Sequence, residues 1–339
     1  MPDQSLGIKV ERKKVESIRR ALVEMNIFDR SRKIMANESH VWLPILTLDE
    51  KSLIQLQNIA DFALAAASFL PEERQPRIEE ILGFKPSFEV VGDIAIVDQE
   101  KAEEVASALM RLHKNIKAVI SPISEVEGEF RTRRFRHIAG EPRTITTHKE
   151  HGLSYYMDLE RAYFSPRLGT ERLRVAKQVL PSDFILDMFA GVGPFALLMA
   201  KKGARVVAID KNPAAINYLR KNAILNKINI DILEGDSAEL ALLYENQADH
   251  VIMNLPHSAA QFLFSAIRAT KSNGIVHYYS FAPESDLYRD AELIRKAAKQ
   301  LGVTVEIIYE GVVRSYSPRC YNIIIDFRVS KTLPSQNAS

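Results

Sequence analysis

The second half of the chain alternates between strand-like and helix-like segments, and this alternation constrains the fold more than any other feature of the sequence. Short apolar runs typical of buried strands are separated by stretches with helical periodicity. Such an order builds a parallel, doubly wound sheet, whose ligands bind at the carboxyl ends of its strands. We predict strands over residues 184–188, 205–210, 228–234, 250–254, 274–281, 304–313 and 321–329, and helices over 194–202, 213–226, 258–271 and 286–301.

The last two predicted strands are joined only by residues 314–319. A crossover to a parallel strand needs about a dozen residues or more, so a connection this short joins antiparallel strands. We therefore expect the sheet to end in an antiparallel hairpin.

A glycine turn comes after the first of these strands, in the segment Asp187-Met-Phe-Ala-Gly-Val-Gly-Pro-Phe195. Gly191 and Gly193 let the backbone approach a ligand closely, and the helix that begins at Pro194 presents unpaired N–H groups to it. Because such a turn also occurs without a ligand, its meaning depends on the residues at the ends of the later strands.

Polar residues stand at the ends of the next three strands. Asp210 closes the second strand, Asp236 comes just after the third, and Asn254 closes the fourth. A carboxylate at the end of the second strand accepts hydrogen bonds from both ribose hydroxyls, and Asp236 can meet the exocyclic amine of an adenine. Each aspartate in isolation is more often a capping or loop residue, but the whole set predicts a nucleoside ligand.

The first half of the chain predicts two smaller units. Residues 8–46 change from strand to helix and back to an extended segment, with a mostly positive charge that fits either a solvated helix face or a nucleic-acid contact surface. We place a domain junction among the prolines after this segment. The remaining predicted elements are a helix over 53–69, a strand with a glycine break over 90–97, a helix over 101–112, a strand over 116–120 and a hairpin formed by 144–148 and 153–157.

Cationic and aromatic residues interleave over residues 128–137, with Arg131, Arg133 and Arg134 at strand-like spacing. Guanidinium groups bind phosphates or the edge of a guanine, and aromatic rings stack on bases. The alternative is an exposed edge strand that is protected by its charges.

A second polar segment, residues 163–172, precedes a helix predicted over 173–180. We expect Thr170 or Ser165 to cap this helix, which places Glu171 near its positive N-terminal end. An acid at that position is either a helix-stabilising residue or a functional carboxylate.

Composition restricts the class of protein. The net charge of +2 requires any nucleic-acid binding to come from local basic patches, and the single cysteine, Cys320, excludes an intramolecular disulfide and a cysteine zinc cluster. The N-terminus is charged, and no apolar run reaches about 18 residues. We expect a soluble cytoplasmic protein.

Five motifs together resemble a known family. Residues 184–329 resemble a class I S-adenosylmethionine-dependent methyltransferase, and the resemblance to the archaeal and eukaryotic type of tRNA (guanine-37 N1)-methyltransferase extends over most of the chain. The motifs are Phe130-Arg-Thr-Arg133, Ser165-Pro-Arg-Leu-Gly-Thr-Glu-Arg172, Asp187-Met-Phe-Ala-Gly-Val-Gly-Pro-Phe195, Asn254-Leu-Pro256 and Val313-Arg-Ser-Tyr-Ser-Pro318.

The resemblance implies an α/β fold in which a Rossmann-like class I methyltransferase sheet of seven strands, the last one antiparallel, is preceded by two smaller α/β or α+β domains. The implied parts are a tRNA-contacting domain over 1–70 with a linker to about 85, an α+β domain over 86–162 that binds RNA and completes the active site, a cofactor-binding domain over 163–330, and a disordered tail over 331–339.

The resemblance also implies the reaction, the transfer of the methyl group of S-adenosyl-L-methionine to N1 of guanosine 37 of tRNA, with no metal. Glu171 stands at the position of the base that removes the N1 proton, Arg131 at that of the group that stabilises negative charge on O6, and Asn254 at that of the amide that holds the guanine edge. The implied cofactor-binding residues are Asp187, Phe189, Gly191, Gly193, Asp210, Asp236, Asn254 and Pro256. The implied RNA-binding residues are Arg131, Arg133, Arg134, Tyr163, Arg167 and Arg172.

The implied partner is tRNA, which the chain binds as a monomer and away from any membrane. Three alternatives remain open: a bifunctional methyltransferase that also acts on a wyosine precursor, an aminocarboxypropyltransferase acting at the same tRNA position, and an inactive RNA-binding module with this fold. The Asn254-Leu-Pro256 motif favours methyl transfer, and the presence of all the expected polar residues argues against the inactive module.

Overall fold

The computed structural model describes residues 5–72, 76–124, 128 and 130–331. It forms two compact units, of which the first ends at Ile81 and the second begins at Leu82. A short helix, α3 (Ile78–Leu82), spans the boundary between them in the chain. The further division of the second unit near residue 162 stays a prediction. The predicted disordered tail lies, apart from Lys331, outside the described residues.

The first unit is a four-stranded antiparallel sheet with two helices. Alternate residues of the first strand, Ile8 and Val10, are buried together with Ile18 and Leu22 of the first helix, as their spacing predicts. The strand order is β2-β3-β1-β4. The elements are β1 (Ser5–Glu11), α1 (Val15–Glu24), β2 (Met35–Ala36), β3 (His40–Pro44), α2 (Glu50–Gln57) and β4 (Ala63–Ala67).

The helix predicted over residues 53–69 is wrong in its second half. Helix α2 ends at Gln57, and the alanine-rich segment after it is β4, which pairs antiparallel with β1. Alanine favours helices by intrinsic propensity. Here the free edge of β1 offers backbone partners, so the tertiary pairing overrides that local preference.

The second unit begins with a four-stranded sheet in the order β5-β6-β7-β8. The strand predicted over 90–97 is in fact a hairpin, because Gly92 takes a φ of +61° and turns the chain back between β5 and β6. The hairpin predicted from 144 to 157 is confirmed as β9 and β10. The elements are β5 (Phe88–Val91), β6 (Ile94–Val97), α4 (Ala102–Leu112), β7 (Ala118–Pro122), β8 (Phe135–Gly140), β9 (Ile145–Glu150) and β10 (Leu153–Asp158).

The rest of the second unit is a seven-stranded sheet in the order β13-β12-β11-β14-β15-β17-β16. The first five strands in the chain are parallel, and β17 lies antiparallel between β15 and β16. This confirms the predicted fold class. The strands are β11 (Phe184–Asp187), β12 (Arg205–Asp210), β13 (Asp231–Glu234), β14 (Ala248–Met253), β15 (Thr270–Pro283), β16 (Thr304–Ser317) and β17 (Cys320–Ser330).

Helices cover both faces of this sheet. Neighbouring residues of β12 point in opposite directions, so Val206 and Ala208 belong to one buried apolar cluster and Val207 and Ile209 to another. The helices are α5 (Gly169–Ala176), α6 (Pro194–Lys201), α7 (Pro213–Leu225), α8 (Ser237–Leu240), α9 (Leu263–Ala269) and α10 (Asp290–Gln300), of which α8 was not predicted.

Candidate active site

A cavity of about 140 Å³ opens at the carboxyl ends of the parallel strands. Its lining includes five of the predicted cofactor-binding residues, namely Phe189, Gly191, Asp210, Asp236 and Asn254. Arg131 and Tyr163 line the same cavity. The fold therefore gathers residues from both halves of the sequence around one space.

The glycine turn supplies one edge of this cavity. Gly191 has a φ of +56° and donates its N–H to Asp210 Oδ2 at 2.6 Å. Gly193 has a φ of +94° and precedes α6, whose first residue is Pro194. Gly193 is not part of the lining in the described chain, so its role is to turn the backbone into the helix.

Asp187 lies at the end of β11 and is almost fully buried. Its Oδ1 accepts the Phe189 N–H at 3.3 Å, whereas Oδ2 has no hydrogen-bond partner among the described residues. Burial raises the pKa of this carboxyl to about 7, and the nearby charge of Asp210 adds to the effect. Asp187 therefore supports the turn through the Phe189 N–H and is not among the described residues that line the cavity.

The two other aspartates line the cavity directly. Asp210 accepts the Asn212 N–H at 2.8 Å in addition to that of Gly191, and burial raises its pKa. Asp236 caps α8 by accepting the Ala238 N–H at 2.8 Å. Both carboxylates therefore stabilise a turn or a helix N-terminus and also line the cavity.

The apolar side of the cavity was only partly predicted. Phe189 meets Phe262 edge to face, with ring centroids 4.9 Å apart, and Leu255 adds to the same lining. Phe262 lies in a 3-10 turn before α9, where no motif signals it. These apolar side chains suit the ring of a nucleobase, and Asp236 lines the same cavity.

The segment Asn254-Leu255-Pro256 continues from β14 as a turn in which the Leu255 N–H donates to the Met253 carbonyl at 3.0 Å. Asn254 and Leu255 line the cavity. Pro256 is buried and is not among the described lining residues. Its place fits a residue that stiffens the turn, and its predicted contact with the cofactor stays a prediction.

Arg131 stands on a turn, not on the predicted strand, since β8 begins only at Phe135 and Arg131 has a φ of +53°. Its guanidinium lies 4.9 Å from the centroid of the Tyr163 ring. Burial lowers the pKa of this guanidinium below its ordinary value, and its Nε has no acceptor in the part of the chain that the structure describes. Arg131 is thus a partly buried donor that faces a cavity.

The other predicted RNA-binding arginines differ in exposure. Arg134 is exposed, Arg133 lies 6.0 Å from the Phe135 ring, and Arg167 is half exposed with its Nε 3.6 Å from Glu89. Arg172 is only 1% exposed. Its guanidinium makes two hydrogen bonds to Glu150, of 2.7 and 2.6 Å, and a third to the Ser165 carbonyl.

The role of Arg172 in RNA binding stays a prediction, although its side chain is buried and paired with Glu150. The Nε and Nη2 of Arg172 are bound inside the protein and hold α5 against β9, and its side chain also borders the cavity lined by Asn254 and Gly191. Arg172 lies five positions after the exposed Arg167 and faces different surroundings. Nothing in the local sequence indicates that Arg172 is the buried one of the two.

Glu171 occupies the first turn of α5, as predicted, but neither expected cap forms. The Ser165 hydroxyl donates to Glu89 instead, and Thr170 is exposed. Glu171 is buried and accepts hydrogen bonds from Arg174 and from the Tyr279 hydroxyl. It is not among the described residues that line the cavity.

Two features are relevant among the described residues, a metal-binding cluster and a membrane-spanning helix. Those residues contain no group of three or more His, Cys, Asp or Glu side chains placed to hold a metal ion. They also contain no helix long and apolar enough to cross a membrane.

Family models match three segments of the chain. They are described as the TRM5/TYW2 methyltransferase domain, over residues 146–307, the tRNA methyltransferase 5 N-terminal domain, over 7–53, and the TYW2 N-terminal domain, over 70–144. The three matches succeed one another along the chain and together span most of it.

Named relatives cover the chain to different extents. The tRNA (guanine(37)-N(1))-methyltransferase Trm5b of Pyrococcus abyssi is 42% identical over 96% of this chain and 99% of its own. The tRNA(Phe) (4-demethylwyosine(37)-C(7)) aminocarboxypropyltransferase of Pyrococcus horikoshii is 29% identical over 76% of this chain and 98% of its own. Among solved structures, the complex of aTrm5 and tRNALeu has a TM-score of 0.67 and 34% identity, covering 95% of this chain and 99% of that one.

Proposed function

The chain belongs to the Trm5 family of tRNA (guanine(37)-N(1))-methyltransferases, and from this premise we propose how its site performs that reaction. It is an enzyme that transfers the methyl group of S-adenosyl-L-methionine to N1 of guanosine 37 of tRNA. The observation that carries the proposed mechanism is that Arg131, with a buried Nε that has no acceptor in the described chain, lines the same cavity as Asn254 and the glycine turn.

The residues of the cavity fit the cofactor. Asp210 would accept hydrogen bonds from the ribose hydroxyls and Asp236 one from the adenine amine, and Phe189 and Phe262 would pack against the adenine ring. Gly191 leaves room for a ligand beside the backbone, since a Cβ at this position would have only the Tyr163 carbonyl, at 3.7 Å, within 4 Å. Bound S-adenosyl-L-methionine supplies an electrophilic methyl group.

We assign each step of the chemistry at the guanine to one residue. N1 of guanosine carries a proton and becomes a good nucleophile only when a base removes it, which is the role of Glu171. Loss of that proton shifts negative charge to O6, where the Arg131 guanidinium stabilises it. Asn254 holds the edge of the guanine, Tyr163 lies beside its ring and Pro256 stiffens the turn.

The contacts to the rest of the tRNA come from three further arginines and from the first unit. Arg133, Arg134 and Arg167 bind the phosphate backbone near the anticodon loop. The first unit, with the mostly positive charge of residues 8–46, grips a second part of the folded RNA. Action as a monomer in the cytoplasm, away from membranes, completes the proposal.

Coverage of the relatives distinguishes this function from aminocarboxypropyl transfer. The P. horikoshii aminocarboxypropyltransferase covers 76% of this chain, whereas Trm5b of P. abyssi covers 96%. The first unit also matches the tRNA methyltransferase 5 N-terminal domain over residues 7–53. The presence of this unit favours methyl transfer over aminocarboxypropyl transfer.

The product identifies the reaction. The purified protein is incubated with unmodified tRNA and S-adenosyl-L-methionine labelled in the methyl group, and the RNA is digested to nucleosides. We expect label in 1-methylguanosine, and none when adenosine replaces guanosine 37. Label in another nucleoside or unlabelled RNA would each rule the proposal out, and aminocarboxypropyl transfer would give unlabelled RNA because the labelled methyl group leaves with methylthioadenosine.

The role of Glu171 is tested by Glu171→Gln, measured in single turnover with both substrates saturating. We expect the rate of methyl transfer to fall by about 10²-fold or more, with cofactor affinity unchanged. Glu292→Gln is the matched control, because Glu292 also lies in the first turn of a helix and pairs with an arginine three residues on, Arg295, but is exposed. Equal rates for Glu171→Gln and wild type would refute this role for Glu171.

A further inference from the structure

The two oxygens of the Glu171 carboxylate are held differently. Oε1 accepts hydrogen bonds from the Tyr279 hydroxyl at 2.7 Å and from Arg174 Nη2 at 2.8 Å, with Arg174 Nε a further contact at 3.1 Å. Among the described residues, Oε2 accepts only from Arg174 Nε, at 2.9 Å. Because a carboxylate oxygen has two lone pairs, Oε1 is saturated while Oε2 keeps one lone pair open.

Arg174 is itself fixed from its far side. Its Nη1 donates to Asp326 Oδ2 at 2.7 Å and its Nη2 to Asp326 Oδ1 at 3.2 Å. Its guanidinium also lies 4.4 Å from the centroid of the Tyr309 ring. One guanidinium therefore bridges two carboxylates, one on α5 and one on β17.

Asp326 is buried at the inner end of this bridge and is held in turn by His277, whose Nδ1 lies 2.7 Å from Oδ1. Burial alone would raise the pKa of Asp326, but His277 and Arg174 outweigh it and hold that pKa well below its usual range. Burial and the charge of Glu171 raise the pKa of Tyr279 well above its ordinary value, so the phenol remains a donor.

We propose that Tyr279, Arg174 and Asp326 are positioning residues that fix Glu171 by its Oε1 and leave Oε2 to accept the N1 proton. The proposal rests on the function given above, in which Glu171 is the base. Tyr279 acts on Oε1 directly. Asp326 acts through Arg174, because it binds the far edge of the guanidinium and so fixes the orientation in which Nη2 bonds Oε1 and Nε bonds Oε2.

The strand β15 provides a matched pair of variants. Tyr278 and Tyr279 are neighbours, both rings are buried, and each hydroxyl donates to a carboxylate, but Tyr278 donates to Asp290 at 3.1 Å, on the other side of the sheet. Tyr279→Phe removes the bond to Glu171, Tyr278→Phe removes an equivalent bond elsewhere, and Asp326→Asn removes the anchor of Arg174. All three are measured in single turnover with saturating substrates, together with affinity for cofactor and tRNA.

We expect Tyr279→Phe and Asp326→Asn to slow methyl transfer by about tenfold, a part of the full contribution of a general base, with both affinities unchanged. Tyr278→Phe keeps the wild-type rate. In a Glu171→Gln background, Tyr279→Phe and Asp326→Asn should change the remaining rate by less than about twofold, because residues that act through one group are not additive.

Two results would overturn the proposal while wild type still makes 1-methylguanosine. One is a folded Tyr279→Phe protein with the wild-type rate, and the other is a Tyr279→Phe effect that multiplies with that of Glu171→Gln. If Asp326→Asn does not fold, the comparison of Tyr279→Phe with Tyr278→Phe decides alone. Failure of wild type to methylate guanosine 37 would refute the proposed function instead.

Discussion

The two glycines of the turn before α6 should respond differently to an added methyl group. A Cβ at Gly193 would collide with Leu219 Cδ1 and lie 3.2 Å from Leu197 Cγ, and both leucines are fully buried. A Cβ at Gly191 would meet nothing nearer than the Tyr163 carbonyl, at 3.7 Å. Gly193 is therefore required by packing and Gly191 by the space that it leaves beside the cavity.

The magnitudes come from these surroundings. Gly193→Ala places alanine at a φ of +94°, which costs about 1–3 kcal/mol, and overpacks a close-packed core, which costs about 1–3 kcal/mol more. Gly191→Ala, at a φ of +56°, has only the left-handed strain, about 1–2 kcal/mol. We expect the free energy of unfolding to fall by about 2–6 kcal/mol for Gly193→Ala and by no more than about 2 kcal/mol for Gly191→Ala.

Urea unfolding of the cofactor-free proteins measures both changes, and calorimetry measures the affinity for S-adenosyl-L-methionine. Gly191→Ala should lose at least about tenfold in cofactor affinity, since its methyl group enters the cavity. Gly193→Ala, where it is folded, should bind with less than that loss. An unfolding free energy for Gly193→Ala equal to or above that of Gly191→Ala would refute this division of roles.

The other predictions concern a buried carboxyl, Asp187, and a pair of arginines, one buried and one on the surface. Asp187 has a folded-state pKa of about 7 against an ordinary 3.8, so between these pH values the folded state holds a proton that the unfolded state has lost. The free energy of unfolding should therefore fall by up to about 4 kcal/mol as pH rises from about 4 to 7. Asp187→Asn should remove most of this fall when unfolding is compared at pH 5 and pH 8, and an unchanged pH dependence would contradict the assignment. Arg172→Ala leaves Glu150, whose side chain is 9% exposed, without its arginine partner and should lower the unfolding free energy by about 3–5 kcal/mol. Arg167→Ala, on the surface, should change stability by less than about 0.5 kcal/mol but weaken tRNA binding and its salt dependence, and the reverse order of the two arginines in a thermal melt would show the burial argument to be wrong.

The seven-stranded sheet could be predicted because its strands carry their own signals. Each is a short apolar run between helical stretches, and the short connection between the last two, residues 314–319, forces an antiparallel pair. The errors lie where a local preference meets a distant partner. Residues 63–67 favour a helix by composition and become a strand only because β1 lies beside them.

The candidate site divides in the same way. Asp210, Asp236 and Asn254 could be predicted to meet because the ends of parallel strands share one edge of a sheet. The partners of Glu171 could not, except Arg174. Tyr279 is 108 residues away in sequence from Glu171, and Asp326 is 152 residues from Arg174. No spacing in one sequence indicates such contacts, because they depend on how β15 and β17 pack against α5.

Charge alone also fails to separate the arginines of residues 163–172. Arg167 and Arg172 lie close together in the chain, and only the position of Glu150 on β9 makes one of them internal. Charge also does not indicate the position of Arg131, which stands on a turn with a positive φ that places its guanidinium over the Tyr163 ring. The strand ends of the doubly wound sheet supply the residues for the cofactor, whereas the residues for the guanine, Arg131 and Tyr163, come from segments that precede this sheet in the chain. A change of substrate in this fold would therefore need new residues at Arg131 and Tyr163 sooner than in the glycine turn.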